Sequence, residues 1–150
     1  MTTLSHVAGV LTLLLVSATP LLGQQPSAAG RIKVVSGSAF IVRDGGTIRA
    51  QAGQAIFEAD GLRTGADGRI GMLLNDDTRV SLGPSSDVRL DRFTYAPADG
   101  SYGLVLKVVR GVAAYVSGRI AKLAPDSIRL ETPAAIVGVR GTSLAISVDQ

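Results

Sequence analysis

The stretch "RIGMLLNDDTRVSLGPSSDVRLDRF", residues 69–93, holds three short apolar–polar alternations separated by two turn signatures. Ile70, Met72 and Leu74 share one parity, Val80 and Leu82 the next, and Val88 and Leu90 the third, with Asp87, Arg89 and Asp91 interleaved. Side chains along a strand point to opposite faces in turn, so each run reads as a half-buried strand that offers one face to a common core. "NDD" (75–77) and "GPSS" (83–86) supply the residues that close tight turns: Asp and Asn bond their own backbone, and Gly and Pro set φ.

The same grammar extends in both directions. "RDGG" (43–46), "ADG" (59–61), "TGADG" (64–68) and "APADG" (96–100) punctuate further apolar runs. After residue 30 no segment sustains a helical period through ten residues without Gly or Pro, which predicts an all-β chain. "SIRLET" (127–132) resembles "DVRLDR" (87–92), and "GSAFIV" (37–42) resembles "GVAAYV" (111–116). Short antiparallel strands at this spacing predict a compact β-roll or solenoid-like sandwich in preference to an immunoglobulin arrangement. Strands of four to six residues are expected.

The end of the chain, "TPAAIVGVRGTSLAISV" (132–148), breaks the alternation. Val137 and Val139 are odd-numbered, whereas Leu144, Ile146 and Val148 are even, so one unbroken strand would send the two sets to opposite faces. A bulge at Gly141, with positive φ, would return both sets to one core. Gly138 is a second place where a neighbouring backbone could approach. Pro133, without an N–H, suits the beginning of a strand or an edge after Thr132. Thr132, Pro133, Gly138, Arg140, Gly141 and Thr142 are therefore read as a structural motif, in which the kink also displays Arg140.

The first 30 residues differ in kind. They contain no Lys, Arg, Asp or Glu, and "VAGVLTLLLVSATPLL" (7–22) is an apolar block interrupted by Pro20. It is shorter than the ~20 apolar residues that a membrane helix needs. Small residues follow at Ala18, Gly23 and Ala29, so residues 1–29 are expected to be a signal peptide, with 30–150 as the exported domain, although "MTTLSH" lacks a Lys or Arg. A retained anchor is the competing reading. That places the domain in the periplasm or outside the cell, with no membrane span after cleavage.

Composition narrows the chemistry. The chain has no Cys and no Trp, and its one histidine is His6, so Ser-His-Asp and Cys-His systems, disulfides and thiolate metal sites are excluded. No Gly-rich loop ends in Lys-Ser or Lys-Thr. Glu58 and Glu131 are the only glutamates, and an acid–nucleophile pair could cleave glycosides, yet strand alternation alone accounts for one of them. Asn75, Asp76 and Asp77 could offer oxygens to calcium, but Asn-Asp-Asp between two alternating runs is first a turn. Neither a cofactor nor catalytic residues are expected. Fifteen basic residues against twelve acidic give a formal charge of +3. The basic residues are spaced along the sequence rather than clustered, which reads as solvated strand faces and not as a nucleic-acid stripe.

Three segments taken in order resemble the FecR domain. "GQAIFEADGLRTGADGRIGMLLNDDTRVSLGPSSDVRL" (53–90) is similar to its strand, Asp, Thr-Gly, strand, turn, strand and Pro-Ser series. "GLVLKVVRGVAAYVSG" (103–118) is similar to its Leu-rich strand with a following Gly, and "ETPAAIVGVRGTSLAISV" (131–148) to its closing Thr-Pro and Gly-Thr signature. The resemblance covers 31–148. It implies a non-enzymatic all-β module of the bacterial envelope, linked to transmembrane signalling. Family members that regulate iron uptake add a cytoplasmic anti-sigma segment and a membrane helix. Residues 1–30 do not match such a segment, so anti-sigma activity is not carried over. Leu144 stands where an aromatic is common, and Asn75-Asp76-Asp77 where Asp-Gly is common.

The expected partner is an envelope protein, bound by strand addition at the edge Leu144–Val148, with Arg140, Leu144 and Ile146 as contact residues. The alternative is a structural or glycan-binding envelope module that uses Tyr95, Tyr102 and Arg92.

Overall fold

The computed structural model describes residues 23, 25–141 and 143–149. The apolar block and the signal-peptide expectation drawn from it lie outside the described residues, apart from Gly23 and 25–29. The first strands are β1 (Gly30–Ser36), β2 (Ala39–Arg43), β3 (Gly46–Arg49), β4 (Ala55–Ile56), β5 (Gly61–Thr64) and β6 (Arg69–Leu74). They are followed by β7 (Arg79–Leu82), β8 (Asp87–Ala96) and β9 (Ser101–Val116). A one-turn helix, α1 (Ile120–Leu123), precedes β10 (Ile128–Glu131), β11 (Ile136–Gly138) and β12 (Ser143–Val148).

The three runs of the 69–93 stretch become β6, β7 and the first half of β8. Ile70, Met72, Leu74, Val80, Leu82, Val88 and Leu90 are all buried, as alternation requires. The strands form one curled sheet in the order β3-β2-β5-β8-β9-β7-β6-β1-β4, and β10, β11 and β12 join on the far side of β9. Pairing is antiparallel except between β10 and β9. The architecture is thus all-β and rolled. Its strands are not stacked as repeating coils, since β2 pairs β5, β1 pairs β6 and β5 pairs β8 across intervening segments.

The expected four-to-six-residue length fails most at β8 and β9, of ten and sixteen residues, and also at β1 (seven), β4 (two) and β11 (three). Between Ser101 and Arg110, β9 pairs β8; from Gly111 to Val116 it lies between β7 and β12. Its two halves therefore belong to two leaves. The β8 leaf holds β2, β3, β5, β8, β10 and β11, and the β6 leaf holds β1, β4, β6, β7 and β12. Both line a single apolar interior.

The strand changes leaf at Gly111, whose φ is +80°, a region open to glycine and strained for other residues. A Cβ there would lie 2.5 Å from Ser86 Cα. The bend therefore requires glycine twice over, for its conformation and for its closeness to the Pro84–Ser86 turn. Val109, the extra residue of a bulge just before it, is turned outward.

Candidate functional site

Three buried polar knots fix the loops on which any surface depends. At the leaf junction, Ser86 N donates to Thr64 Oγ1 at 2.9 Å, and Val112 N donates to Ser86 Oγ at 2.9 Å. Thr64 Oγ1 in turn donates to Gly83 O at 2.7 Å. The Thr-Gly, Pro-Ser and Arg-Gly elements of 64–65, 84–86 and 110–111, far apart in sequence, thus meet at one point.

At the far end of β9, Asp76 is fully buried. Its Oδ1 accepts from Thr78 N at 3.1 Å, and its Oδ2 accepts from Thr78 Oγ1 at 2.7 Å and from Ile120 N at 3.3 Å. Arg119 N donates to the Asp76 carbonyl at 2.6 Å, while Asp77 pairs with Arg119 Nε at 2.9 Å. The 75–77 turn thus docks the α1 segment. Both carboxylate oxygens of Asp76 face protein N–H and O–H donors, the wrong geometry for a calcium ligand.

The third knot is an ion pair. Arg43 Nε donates to Asp60 Oδ1 at 2.8 Å and Nη2 to Oδ2 at 2.7 Å, while Phe57 N also donates to Oδ2 at 2.8 Å. Asp60 is 1 % exposed, and the Arg43 guanidinium lies 4.6 Å from the Phe57 ring centre. The Asp60 hydrogen bond holds the Arg43 pKa above its ordinary value. This two-pronged geometry offsets the cost of burying a carboxylate.

The motif at 132–148 takes a different form from the bulge expected of it. Thr132 Oγ1 accepts from Ala135 N at 3.0 Å, and Thr132 N donates to Ala135 O at 2.8 Å. Pro133 therefore lies in the β10–β11 hairpin turn, not at the start of a strand, and its fixed φ serves the turn. Val139 is buried and Val137, Leu144, Ile146 and Val148 pack against the core, so both parity sets do turn inward. The change of phase is made by a break in the ladder: β11 pairs β10, the chain leaves that pair after Gly138, and β12 pairs β9. Gly141 has no left-handed φ, and a Cβ at Gly138 or Gly141 would meet open space. A loop between two strands resets parity without a bulge, so neither glycine is needed for one. Arg140 is exposed and its Nη2 lies 3.2 Å from Asp126 Oδ1. Thr142 lies outside the described residues.

Among the expected contact residues, Leu144 and Ile146 face the core and are half-buried, while Ser143, Ala145 and Ser147 face outward. β12 has a partner strand on one side only. The glycan triad is not assembled. Tyr95 and Tyr102 are a cross-strand pair with ring centres 6.1 Å apart and pack on the core side. Arg92 is on the other face, over Gly103. Glu58 Oε2 accepts from Phe93 N at 3.0 Å, whereas Glu131 pairs in register with Lys107.

Spacing along the chain concealed one grouping. On the outer face of the β8 leaf, Arg49, Arg63 and Arg110 lie along one row of register. Arg89 and Lys107 occupy the next row, and Arg92 and Arg129 a third. Asp87, Asp91 and Glu131 stand on the strands of that face, with Asp44 near Arg63 and Arg89 and Asp67 near Arg49 at its rim, so the seven cations outnumber the carboxylates around them. Only register could have revealed this, because the sheet brings together residues that are scattered in sequence.

The molecule is thus a small all-β roll whose turns are locked by buried Asp, Thr and Ser side chains. The family comparison gives that class a name. Residues 60–150 match the family described as FecR protein, and the chain belongs to that family. The match begins at the buried Asp60, so β1–β4 lie before it. No significant match was found among curated proteins or among solved structures. FecR proteins are signalling and regulatory modules of the cell envelope. No helix among the described residues is long and apolar enough to cross a membrane.

Proposed function

We propose that this chain is an exported, non-enzymatic sensory or protein-interaction module of the envelope, with residues 1–29 as its signal peptide and 30–150 as its working domain. It captures an extended segment of a partner protein by strand addition to β12. The observation that carries this reading is the character of that edge. Sheet edges are usually blunted by charge, Pro, bulges or brevity. Among the other strands with a single neighbour, β3 carries Arg49, β4 has two residues, and β11 has three and follows a Pro-containing turn. β12, "SLAISV", has six residues and no charge, Pro or Gly. The neighbouring half of β9 continues the pattern outward with Val112, Ala114 and Val116, and the first outward charge beyond it is Arg79 of β7. Added backbone hydrogen bonds would supply affinity, and Arg140, beyond the strand's start, would select the partner by charge.

A photo-crosslinker placed at the exposed Ser143 in intact cells is expected to trap a discrete envelope protein. Ala145→Asp and Ser147→Pro should abolish the adduct, and Arg140→Ala should weaken it, with the thermal midpoint nearly unchanged for Ala145→Asp. An adduct that persists at full yield in both edge variants removes β12 from the reading.

A further inference from the structure

From the outer face of the β8 leaf we infer a second binding surface, one that docks peripherally on an anionic phospholipid bilayer. Six of its seven cations are arginines, whose planar forks suit phosphate oxygens. Arg63 and Arg89 are paired with Asp87 and Asp91, whereas Arg49, Arg92, Lys107, Arg110 and Arg129 form no ion pair among the described residues. Arg49, Arg92 and Arg129 are exposed. The array is broad, not linear: its cations stand on five strands, β3, β5, β8, β9 and β10, in three adjacent rows. It covers the outside of a curled sheet, with Phe40, Val42 and Val105 half-buried between the charges. A linear polyanion is best met by a stripe or groove, whereas a two-dimensional field of lipid phosphates is met by a two-dimensional field of guanidinia. The opposite outer face holds Arg31, Lys33, Arg69 and Arg79, confined to β1, β6 and β7, and is uncharged on the outward residues of β9 and β12. This inference does not depend on strand addition at β12.

The test is co-sedimentation of the full chain with phosphatidylcholine vesicles that carry increasing phosphatidylglycerol. Bound protein should rise with the anionic fraction and fall with salt, because exposed charges are screened within about 10 Å at 0.1 M. The triple variant Arg49→Gln, Arg92→Gln, Arg129→Gln should lower partitioning about a hundredfold, near fivefold per cation. A matched triple on the opposite face (Arg31→Gln, Arg69→Gln, Arg79→Gln) should cost less than about tenfold, since its charges lie beyond the contact. If the first triple melts early, the Arg→Lys version at the same positions, which keeps the charge, must retain binding. Equal loss from both triples would reduce the effect to net charge and overturn the assignment. So would binding indifferent to phosphatidylglycerol, which would point to the apolar segment 7–22. Retention on a sulfated polysaccharide without vesicle binding would overturn it in favour of a chain-like polyanion.

Discussion

The two halves of β9 carry the same pattern inward and opposite patterns outward. Leu104, Leu106 and Val108 enter the core from the first half, and Ala113 and Tyr115 from the second. Outward, the first half shows Val105, Lys107 and Arg110, whereas the second shows Val112, Ala114 and Val116. Val112 and Val116 remain 47 % and 40 % exposed, on the side that leads to β12. Core packing accounts for the shared inward pattern, since either leaf must fill one interior. It cannot account for the outward difference. That difference matches the two surfaces proposed above: the first half of β9 borders the cation rows, and the second half is uncharged beside β12, the charges of its leaf standing on β1, β6 and β7.

The bend at Gly111 makes that division possible, and breaking it should have the largest effect. Gly111→Ala places a Cβ 2.4 Å from Ser86 Oγ and 2.5 Å from Ser86 Cα, at a φ of +80°. Backbone must move, so a loss of about 4 kcal/mol or more is expected in urea unfolding. A loss below about 1 kcal/mol would show that the leaves are not locked at this point.

Next comes the far end of the second half, held by the 75–77 turn. Asp76→Ala removes the acceptor for three donors in a buried site, two of them backbone N–H groups. A loss of about 3 kcal/mol is expected. The thermal midpoint of the unaltered chain should not move when calcium is added or chelated. A calcium-dependent rise would return the Asp-Asp pair to metal binding.

Ser86→Ala tests the junction more gently. Val112 N loses its acceptor, and Pro84 O and Val112 O lose the single hydroxyl proton they share. The expected loss is about 1–2 kcal/mol. Hydrogen exchange should sharpen the comparison further: amides of 112–116 should speed up more than those of 104–108, because Ser86 bonds Val112 directly and touches none of 104–108 by a hydrogen bond.

How legible all this was depends on whether the cause was local. Alternation in 69–93 is local, and it gave strands, faces and turns correctly because each strand needs only its own parity to face a core. The parity switch at 137–148 was also readable, but not the device that makes it, since a loop between two ladders and a bulge within one leave the same trace in sequence. The Arg43–Asp60 pair, the docking of Asp76 on Ile120 and the cation rows are set by register between distant strands. Nothing in a spacing of ten residues shows that Arg63 and Arg110 will share a row. For the same reason Arg92 could be grouped in prospect with Tyr95 and Tyr102, although a bulge at Asp91 and strict alternation put it on the opposite face.

Tyr115 offers the smallest and most specific test of the second half. It is 2 % exposed, and its hydroxyl lies near those of Ser117 and Thr78 without making a well-formed hydrogen bond to either. Burial pushes the phenol pKa above its ordinary value of 10.0. An unfolded chain therefore loses this proton before the folded one does. The stability that the neutral, buried phenol contributes is fully present below about pH 10 and is lost as pH climbs from there through the raised folded value. Tyr115→Phe keeps the ring, discards a poorly bonded hydroxyl, and should change stability at neutral pH by no more than about 1 kcal/mol. Above pH 10 its unfolding free energy should fall less steeply than that of the unaltered chain, the lysines being common to both. Parallel alkaline slopes would mean that the second half of β9 admits water to Tyr115, and that the β6 leaf is looser at its core than the β8 leaf.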